Sequence, residues 1–330
     1  MRSGASAEPN ARLRSFPTGR EFIPSKRLSP LMPTIRANGV DTYYERRGDG
    51  PTVVFVHASM LDHAVWDEQV EALSTDYSTV TYDLRGHGRT GRSAESEYTV
   101  DLYVADLRAL LLELDIRNPV LCGLSMGGTV ALTYAATYPD DLAGLVLVDA
   151  FAPEFRSRGE WFLRRVALSA LVPPVRLLGL ERVERANVWL TARLFPGADG
   201  DYESVERLRE GGPGMATEEF AKVVRSMARP RDPPVDLSTV SAPTLVLYGE
   251  RDLPFVRLHA ARFAAHVPTV DVREVPGAGH ASNLDAPEYV TGAIRDFLEA
   301  HAGTTDRSAD STDSNGNSDG ANGGNGGSAA

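Results

Sequence analysis

Short runs of consecutive apolar residues alternate along the chain with longer stretches in which apolar residues recur at helical spacing. Such runs are typical of strands in a parallel sheet, because helices cover both faces of that sheet. The alternation therefore predicts an α/β fold with a doubly wound, mostly parallel sheet of about eight strands. The first two strands flank Asn38-Gly39, a strong hairpin signal. The predicted strands are Thr34–Ala37, Val40–Arg46, Thr52–Val56, Thr79–Tyr82, Val120–Leu124, Leu145–Val148, Thr244–Tyr248 and Val270–Val275.

One long interval interrupts this alternation. Between residues 153 and 235 there is no convincing strand, but helical segments are predicted near 161–171, 182–194 and 218–228, separated by Pro173-Pro174 and by glycine-rich breaks. Roughly eighty residues are too many for a structureless loop in a compact domain. We therefore predict an inserted helical cap at 153–235, which covers one edge of a core made of residues 33–152 and 236–301.

The two ends of the chain differ from the middle in composition. Residues 1–32 are rich in Ser, Pro, Arg and Gly without periodicity, and residues 302–330 are mostly Gly, Ser, Asn and Asp with no large apolar side chain. Such segments bury too little apolar surface to offset the entropy of ordering. We predict a disordered N-terminal extension and a disordered acidic tail. Met32 stands just before the first strand, so either Met1 or Met32 is the expected start.

Composition excludes several classes of partner and site. The 330 residues carry a net charge of −11 and no basic stripe with interleaved aromatic residues, which argues against nucleic acid. The one cysteine, Cys122, can form neither an intrachain disulfide nor a thiolate zinc site, and it indicates a reducing, cytoplasmic location. No apolar run approaches the roughly 20 residues of a membrane span, so no membrane partner is expected. The sequence does not indicate an oligomeric state.

The pattern Gly-x-Ser-x-Gly around Ser125 is the first motif that carries chemistry. It follows a predicted strand directly and precedes a predicted helix directly. A serine on such a sharp turn stands exposed at the end of the strand, and small residues two positions away let the strand and the helix approach each other. Gly123 and Gly127 meet that requirement. Ser125 is therefore a candidate nucleophile, and the helix N-terminus favours negative charge that develops beside it.

A nucleophilic serine needs a base and an orienting acid. His280 lies in a glycine-flanked loop after the last predicted strand, and Asp252 follows the strand before it. Loops at the carboxyl ends of parallel strands share one edge of the sheet, so we expect Ser125, Asp252 and His280 to lie together. Asp149, at the end of the sixth strand, is the alternative acid. His57 is interpreted as a structural support of the neighbouring loop.

These residues make the chain similar to the α/β-hydrolase family, in its subgroup with a cap between the sixth and seventh strands. The resemblance spans about residues 34 to 300 and implies that Ser125 attacks an acyl carbon, that His280 takes its proton and later activates water, and that Asp252 orients the imidazole. It depends on five ordered features: His57 at the end of a strand, Tyr-Asp-Leu-Arg-Gly-His-Gly at 82–88, the Ser125 turn, Gly249–Asp252, and Gly279-His280 with Leu284–Pro287.

The same resemblance implies an oxyanion hole formed by two backbone amides. One belongs to Met126, next to the nucleophile, and the other to Ser59, two residues beyond His57. Most members of the family have His-Gly at this turn, whereas this chain has His57-Ala58. Because alanine disfavours a positive φ, the second donor could be shifted, and Met60 is the alternative.

The function that the resemblance implies is a cofactor-free serine hydrolase, without a metal, that cleaves a small carboxylic ester or lactone through an acyl-enzyme on Ser125. We expect Met60, Trp161 and Trp189 to contact this small acyl substrate. Two alternatives share the fold: an enzyme similar to cofactor-free haloperoxidases or perhydrolases, and a hydrolase of carbon–carbon bonds. An alternative of another class, prompted by Ala58, is a non-catalytic ligand-binding protein on the hydrolase fold.

Overall fold

The computed structural model describes residues 33–183, 185–186, 193 and 214–302. Within these residues, eight strands form one sheet: β1 (Thr34–Ala37), β2 (Val40–Arg47), β3 (Thr52–Val56), β4 (Ser78–Tyr82), β5 (Val120–Leu124), β6 (Gly144–Val148), β7 (Thr244–Gly249) and β8 (Val270–Val275). Their order across the sheet is β1-β2-β4-β3-β5-β6-β7-β8. β1 pairs antiparallel with β2, and β2 with β4, whereas the pairs from β4 to β8 are parallel. The predicted fold class is confirmed.

Helices follow most of the strands. Those with both ends described are α1 (Asp67–Leu73), α2 (Val100–Glu113), α3 (Met126–Thr137), α4 (Arg158–Trp161), α5 (Leu168–Ala170), α6 (Val172–Leu178), α7 (Thr217–Ala228), α8 (Pro254–His266), α9 (Ser282–Asp285) and α10 (Pro287–His301). Residues 180–183 and 185–186 are also helical. In this part of the chain no helix combines the length and the apolar character that a membrane crossing requires. The cytoplasmic location stays a prediction.

Alternate residues of the central strands pack into two separate apolar layers. Val54 of β3 lies in one layer with Leu107 of α2, and Phe55 lies in the other with Ile294 of α10. All four side chains are fully buried. Burying a side chain of this size contributes about 1.5–3 kcal/mol, so apolar residues are favoured at every position of these strands. This is why the strands appear in the sequence as unbroken apolar runs.

The hairpin between β1 and β2 turns at Asn38-Gly39, as the sequence predicts. Asn38 has φ 44° and Gly39 has φ 78°. Ala37 pairs with Val40 across the turn, so the loop contains two residues. Positive φ at both positions gives the tight turn the right-handed twist of the strands that it joins.

The segment between β6 and β7 is helical where the structure describes it. The prediction near 161–171 corresponds to α4, a π-helical turn at Phe162–Ala167 and α5, and the prediction near 218–228 corresponds to α7. Pro173-Pro174 does not separate helices as predicted: the break falls at Leu171, and both prolines lie in the first turn of α6. Proline is tolerated there because a first-turn N–H has no acceptor within the helix. The prediction near 182–194 lies mostly outside the described residues. The limits of a cap domain stay a prediction.

A buried ionic network joins the start of this segment to the rest of the protein. Arg164 Nη1 lies 2.6 Å from Glu160 Oε1, and His259 Nε2 of α8 lies 3.1 Å from the same oxygen. Arg164 also donates to the carbonyl oxygen of Met227 in α7, at 3.0 Å. A buried ion pair adds little net stability because its charges lose their hydration. We interpret the network as holding the segment in one position against α8.

Candidate active site

Ser125 occupies the turn between β5 and α3, with its backbone at φ 52° and ψ −113°. A residue other than glycine is strained in this region, at a cost of order 1–3 kcal/mol. A Cβ at Gly123 would lie 2.5 Å from the carbonyl oxygen of Gly127, and a Cβ at Gly127 would collide with the carbonyl oxygen of Val56. The two glycines therefore allow the close approach of strand and helix that holds Ser125 in this turn.

The structure brings the three polar side chains singled out in the sequence into one continuous contact. Ser125 Oγ lies 2.9 Å from His280 Nε2, and His280 Nδ1–H donates to Asp252 Oδ1 at 2.7 Å. Asp252 follows β7 and His280 follows β8, and a Cβ at Gly249 would collide with the carbonyl oxygen of Gly279. The two loops are thus packed directly against each other, which sets the carboxylate beside the imidazole.

The charge state of His280 depends on its carboxylate neighbours. Burial of the ring disfavours its positive charge, but the negative charge of Asp252, its hydrogen bond and the nearby Asp149 outweigh burial and raise the pKa of His280 from 6.5 to about 9. The Asp252 side chain has no exposed surface, whereas a third of the His280 side chain is exposed. The imidazole is therefore accessible to solvent, whereas the carboxylate that orients it is not.

Asp149, the alternative acid, contacts two backbone amides instead of the imidazole. Its Oδ1 accepts from the Gly249 N–H at 3.0 Å and its Oδ2 from the Ser282 N–H at 2.7 Å. The residue is completely buried and has φ 48°. Burial and the neighbouring Asp252 raise its pKa well above the ordinary value. The hydrogen bond to His280 thus belongs to Asp252.

The two amides predicted as oxyanion donors belong to Ser59 and Met126. Among the described residues, no acceptor takes a hydrogen bond from the Ser59 or the Met126 N–H. Met126 is the first residue of α3, where the helix dipole also favours negative charge. The positive φ of the turn after β3 falls at Met60, with φ 64°, and not at Ala58. An alanine is therefore accommodated without strain at the position where the family usually has glycine.

His57 forms hydrogen bonds that hold the turn after β3. Its Nε2 accepts from the Leu84 N–H at 2.9 Å, so the ring proton is on Nδ1, which donates to the carbonyl oxygen of Ala58 at 2.7 Å. The ring is completely buried, and burial lowers its pKa. A neutral histidine with both nitrogens hydrogen-bonded has no atom free to act as a base. The interpretation of His57 as a loop support agrees with these contacts.

The residues expected to contact substrate have different surroundings. Met60 packs against an apolar cluster that contains Val175 of α6 and Phe220 of α7, so the turn that carries Ser59 touches the segment between β6 and β7. Trp161 is 48% exposed at the end of α4. Trp189 lies outside the described residues. The sequence did not predict that Met60 packs against this cluster, because a methionine in a loop belongs to no periodic apolar pattern.

Asp62, His63 and Asp83 form the one group of potential metal ligands within the described residues. His63 donates to Asp83 Oδ1 through its backbone N–H at 2.9 Å and lies 2.7 Å from it through Nδ1. The Arg89 N–H donates to Asp83 Oδ2 at 2.7 Å. Protein donors thus occupy both oxygens of Asp83, so we interpret the group as a support of the loops after β3 and β4.

Comparisons with known proteins agree with the fold. A family model described as the alpha/beta hydrolase fold matches residues 51–287. The 3-oxoadipate enol-lactonase 2 of Acinetobacter baylyi is 27% identical over 271 residues, which cover 81% of this chain and 96% of the relative. Among solved structures, a thermophilic esterase from Thermogutta terrifontis with malate bound is 30% identical with a TM-score of 0.66, covering 81% of this chain and 96% of the esterase. The enol-lactonase from Burkholderia xenovorans LB400 has the same TM-score at 24% identity. The match covers 81% of this chain and 100% of the enol-lactonase, and the two share the fold.

Proposed function

The chain belongs to the α/β hydrolase fold family, and we propose that it is a serine hydrolase that cleaves a small carboxylic ester or lactone through an acyl-enzyme on Ser125. The observation that carries the proposal is the continuous contact from Ser125 Oγ to His280 Nε2, at 2.9 Å, and from His280 Nδ1 to Asp252 Oδ1, at 2.7 Å. A hydroxyl, a base and an orienting carboxylate at these distances are the parts that an activated serine nucleophile needs.

The reaction that this arrangement supports has two halves. In the first, Ser125 Oγ attacks the acyl carbon while His280 Nε2 takes the hydroxyl proton, and the amides of Ser59 and Met126 stabilise the oxyanion. His280 then gives this proton to the departing alkoxide, and the C–O bond of the ester breaks. In the second half, His280 takes a proton from water, the hydroxide attacks the acyl carbon, and Ser125 leaves with its proton restored.

An ester or lactone is the substrate class that the surroundings favour. The names of two relatives refer to an esterase and an enol-lactonase. Met60, the residue after Ser59, packs against the apolar cluster that contains Val175 and Phe220. Met60 itself is only partly buried, so it presents apolar surface beside the Ser59 amide, and sites that hold small organic molecules typically combine apolar surface with a few polar groups. We expect an uncharged acyl chain to bind more tightly than a charged one.

Labelling with a fluorophosphonate tests this proposal. Ser125 Oγ should form a bond to phosphorus with loss of fluoride, because the probe reacts with an activated serine. The oxyanion donors should stabilise the phosphoryl oxygen of the adduct. Mass spectrometry of the digested protein should locate a single adduct on the peptide that contains Ser125. A folded protein that stays unlabelled, and that releases no p-nitrophenol from short esters, would instead support the non-catalytic ligand-binding alternative.

The pH dependence of hydrolysis provides a second test. We expect kcat/KM for a short ester to increase up to a pH near 9 and then to level off, since His280 must be neutral to accept the serine proton and its pKa is raised to about 9. A pH-stat assay at constant ionic strength measures this profile. The free energy of unfolding should follow the opposite trend. The stabilisation that protonated His280 provides is complete below the ordinary pKa of 6.5 and disappears as the pH rises through 9. A kcat/KM that is already level below 6.5 would contradict the raised pKa of His280.

A further inference from the structure

The end of β6 contacts all three loops that carry the candidate catalytic side chains. The carbonyl oxygen of Val148 accepts from the Ser125 N–H at 2.9 Å. The next residue, Asp149, accepts from the Gly249 N–H through Oδ1 and from the Ser282 N–H through Oδ2. Gly249 is the last residue of β7, directly before the loop of Asp252, and Ser282 follows His280 by two positions. Two consecutive residues thus hold the nucleophile loop, the acid loop and the histidine loop to one strand end.

The conformation of Asp149 is costly, which indicates that its position is closely determined. It is a non-glycine residue at φ 48°, and its side chain is fully buried. A left-handed backbone and a buried carboxyl group each carry an energetic cost. Both oxygens of the carboxyl group accept an amide hydrogen, so the group offsets part of this cost only while both loops remain in place. The hydrogen bonds at 2.7 and 3.0 Å therefore constrain both loops.

We propose that Asp149 is a positioning residue: its carboxyl group ties the acid loop to the histidine loop and so sets the distance between Asp252 and His280. This inference rests on the proposed function, because it concerns the efficiency of the same site. Asp149 makes no hydrogen bond to His280, to Asp252 or to Ser125 within the described residues, so it acts through the backbone of the two loops.

The electrostatics of Asp149 are compatible with this role. Burial, followed by the charge of Asp252, raises its pKa well above the ordinary value. This charge effect follows from the closeness of the two carboxyl groups, and of the two it is Asp252 whose Oδ1 accepts from His280 Nδ1–H, at 2.7 Å.

The Asp149→Ala variant tests the clamp with two readouts. We expect kcat for ester hydrolysis to fall by about 10²-fold with little change in KM, because an error of about 1 Å in the placement of a catalytic group has an effect of this size. The second readout is the far-downfield proton NMR resonance of His280 Nδ1–H, which reports the hydrogen bond to Asp252 directly and needs no substrate. We expect this resonance to broaden or disappear.

A matched control separates positioning from general loss of stability. Asp106→Ala removes another buried aspartate, one that pairs with Arg85 at 2.5 Å away from the candidate active site. It should destabilise the fold and leave kcat and the His280 resonance unchanged. If Asp149→Ala behaves like this control, Asp149 is only structural and the proposal is wrong.

Two further outcomes are also decisive. If Asp149→Ala does not fold, Asp149→Asn replaces it, since the amide keeps the shape but offers one acceptor oxygen instead of two. A weakened resonance and a reduced kcat in this variant support the clamp, and wild-type values overturn it. If the wild-type protein hydrolyses no ester or lactone, the proposed function fails, but the resonance in the Asp149 variants still decides whether the clamp exists.

Discussion

The Ser125→Ala variant should retain less than about one part in 10⁴ of the wild-type kcat for hydrolysis of p-nitrophenyl acetate. Without the hydroxyl no acyl-enzyme can form, and His280 can only activate water against a substrate held by the two oxyanion amides. That residual route gives about 10³–10⁴-fold acceleration over water in comparable enzymes, far below the full mechanism. Steady-state release of p-nitrophenol measures the loss, and the absence of the fluorophosphonate adduct checks it independently.

The fold of this variant should remain intact, because alanine removes one oxygen and adds no atoms to the turn. Circular dichroism and the unfolding midpoint in urea test this point. Ser74→Ala, which removes the hydroxyl of the serine at the end of α1, is the matched control and should keep the wild-type kcat. Activity of Ser125→Ala near that of the control would show that another nucleophile performs the reaction.

Replacing Asp252 by asparagine should lower kcat by about 10⁴-fold while the fold persists. Asp252 Oδ1 accepts from His280 Nδ1–H at 2.7 Å and from the Leu253 N–H at 2.5 Å. If the asparagine keeps its oxygen on the Leu253 amide, its NH₂ group faces His280. The imidazole then carries its proton on Nε2 and cannot accept the proton of Ser125. The variant also removes the charge that raises the pKa of His280, so the pH profile should shift to lower pH.

The surface variant Asp271→Asn is the control for this experiment. Asp271 lies exposed on β8 and pairs with Arg273, so its replacement should leave both kcat and the pH profile unchanged. If Asp252→Asn kept full activity, the acid would have to be another carboxylate. Asp149 is the nearest candidate, and the double variant would then decide between them.

The sheet could be predicted from the sequence because its strands are buried on both faces. Val53–Val56 and Leu121–Leu124 are apolar without interruption, apart from Gly123, so the pattern identifies them directly. The observed strands are longer at Ser78, Gly144 and Gly249, because backbone pairing continues past the apolar residues. The meeting of Ser125, Asp252 and His280 could also be expected, since parallel strands bring their carboxyl ends to one edge.

Other features depend on contacts between residues far apart in the sequence. The sequence suggests Asp149 as a competing acid, but only the folded chain shows that its oxygens face the amides of Gly249 and Ser282. The left-handed backbone of Met60 likewise has no local signal, because methionine rarely adopts it. The helix α6 lies where the sequence predicts a break, because Pro173-Pro174 can begin a helix as well as end one.

Three non-glycine residues with positive φ stand at or just beyond the ends of neighbouring strands: Met60 after β3, Ser125 after β5 and Asp149 after β6. Each costs of order 1–3 kcal/mol, a noticeable share of the 5–15 kcal/mol by which a domain is usually stable. Half of the six non-glycine residues with positive φ in the described part of the chain thus lie at one rim of the sheet. Selection for thermal stability alone would be expected to replace these residues by glycine. Such a change would raise stability and lower kcat.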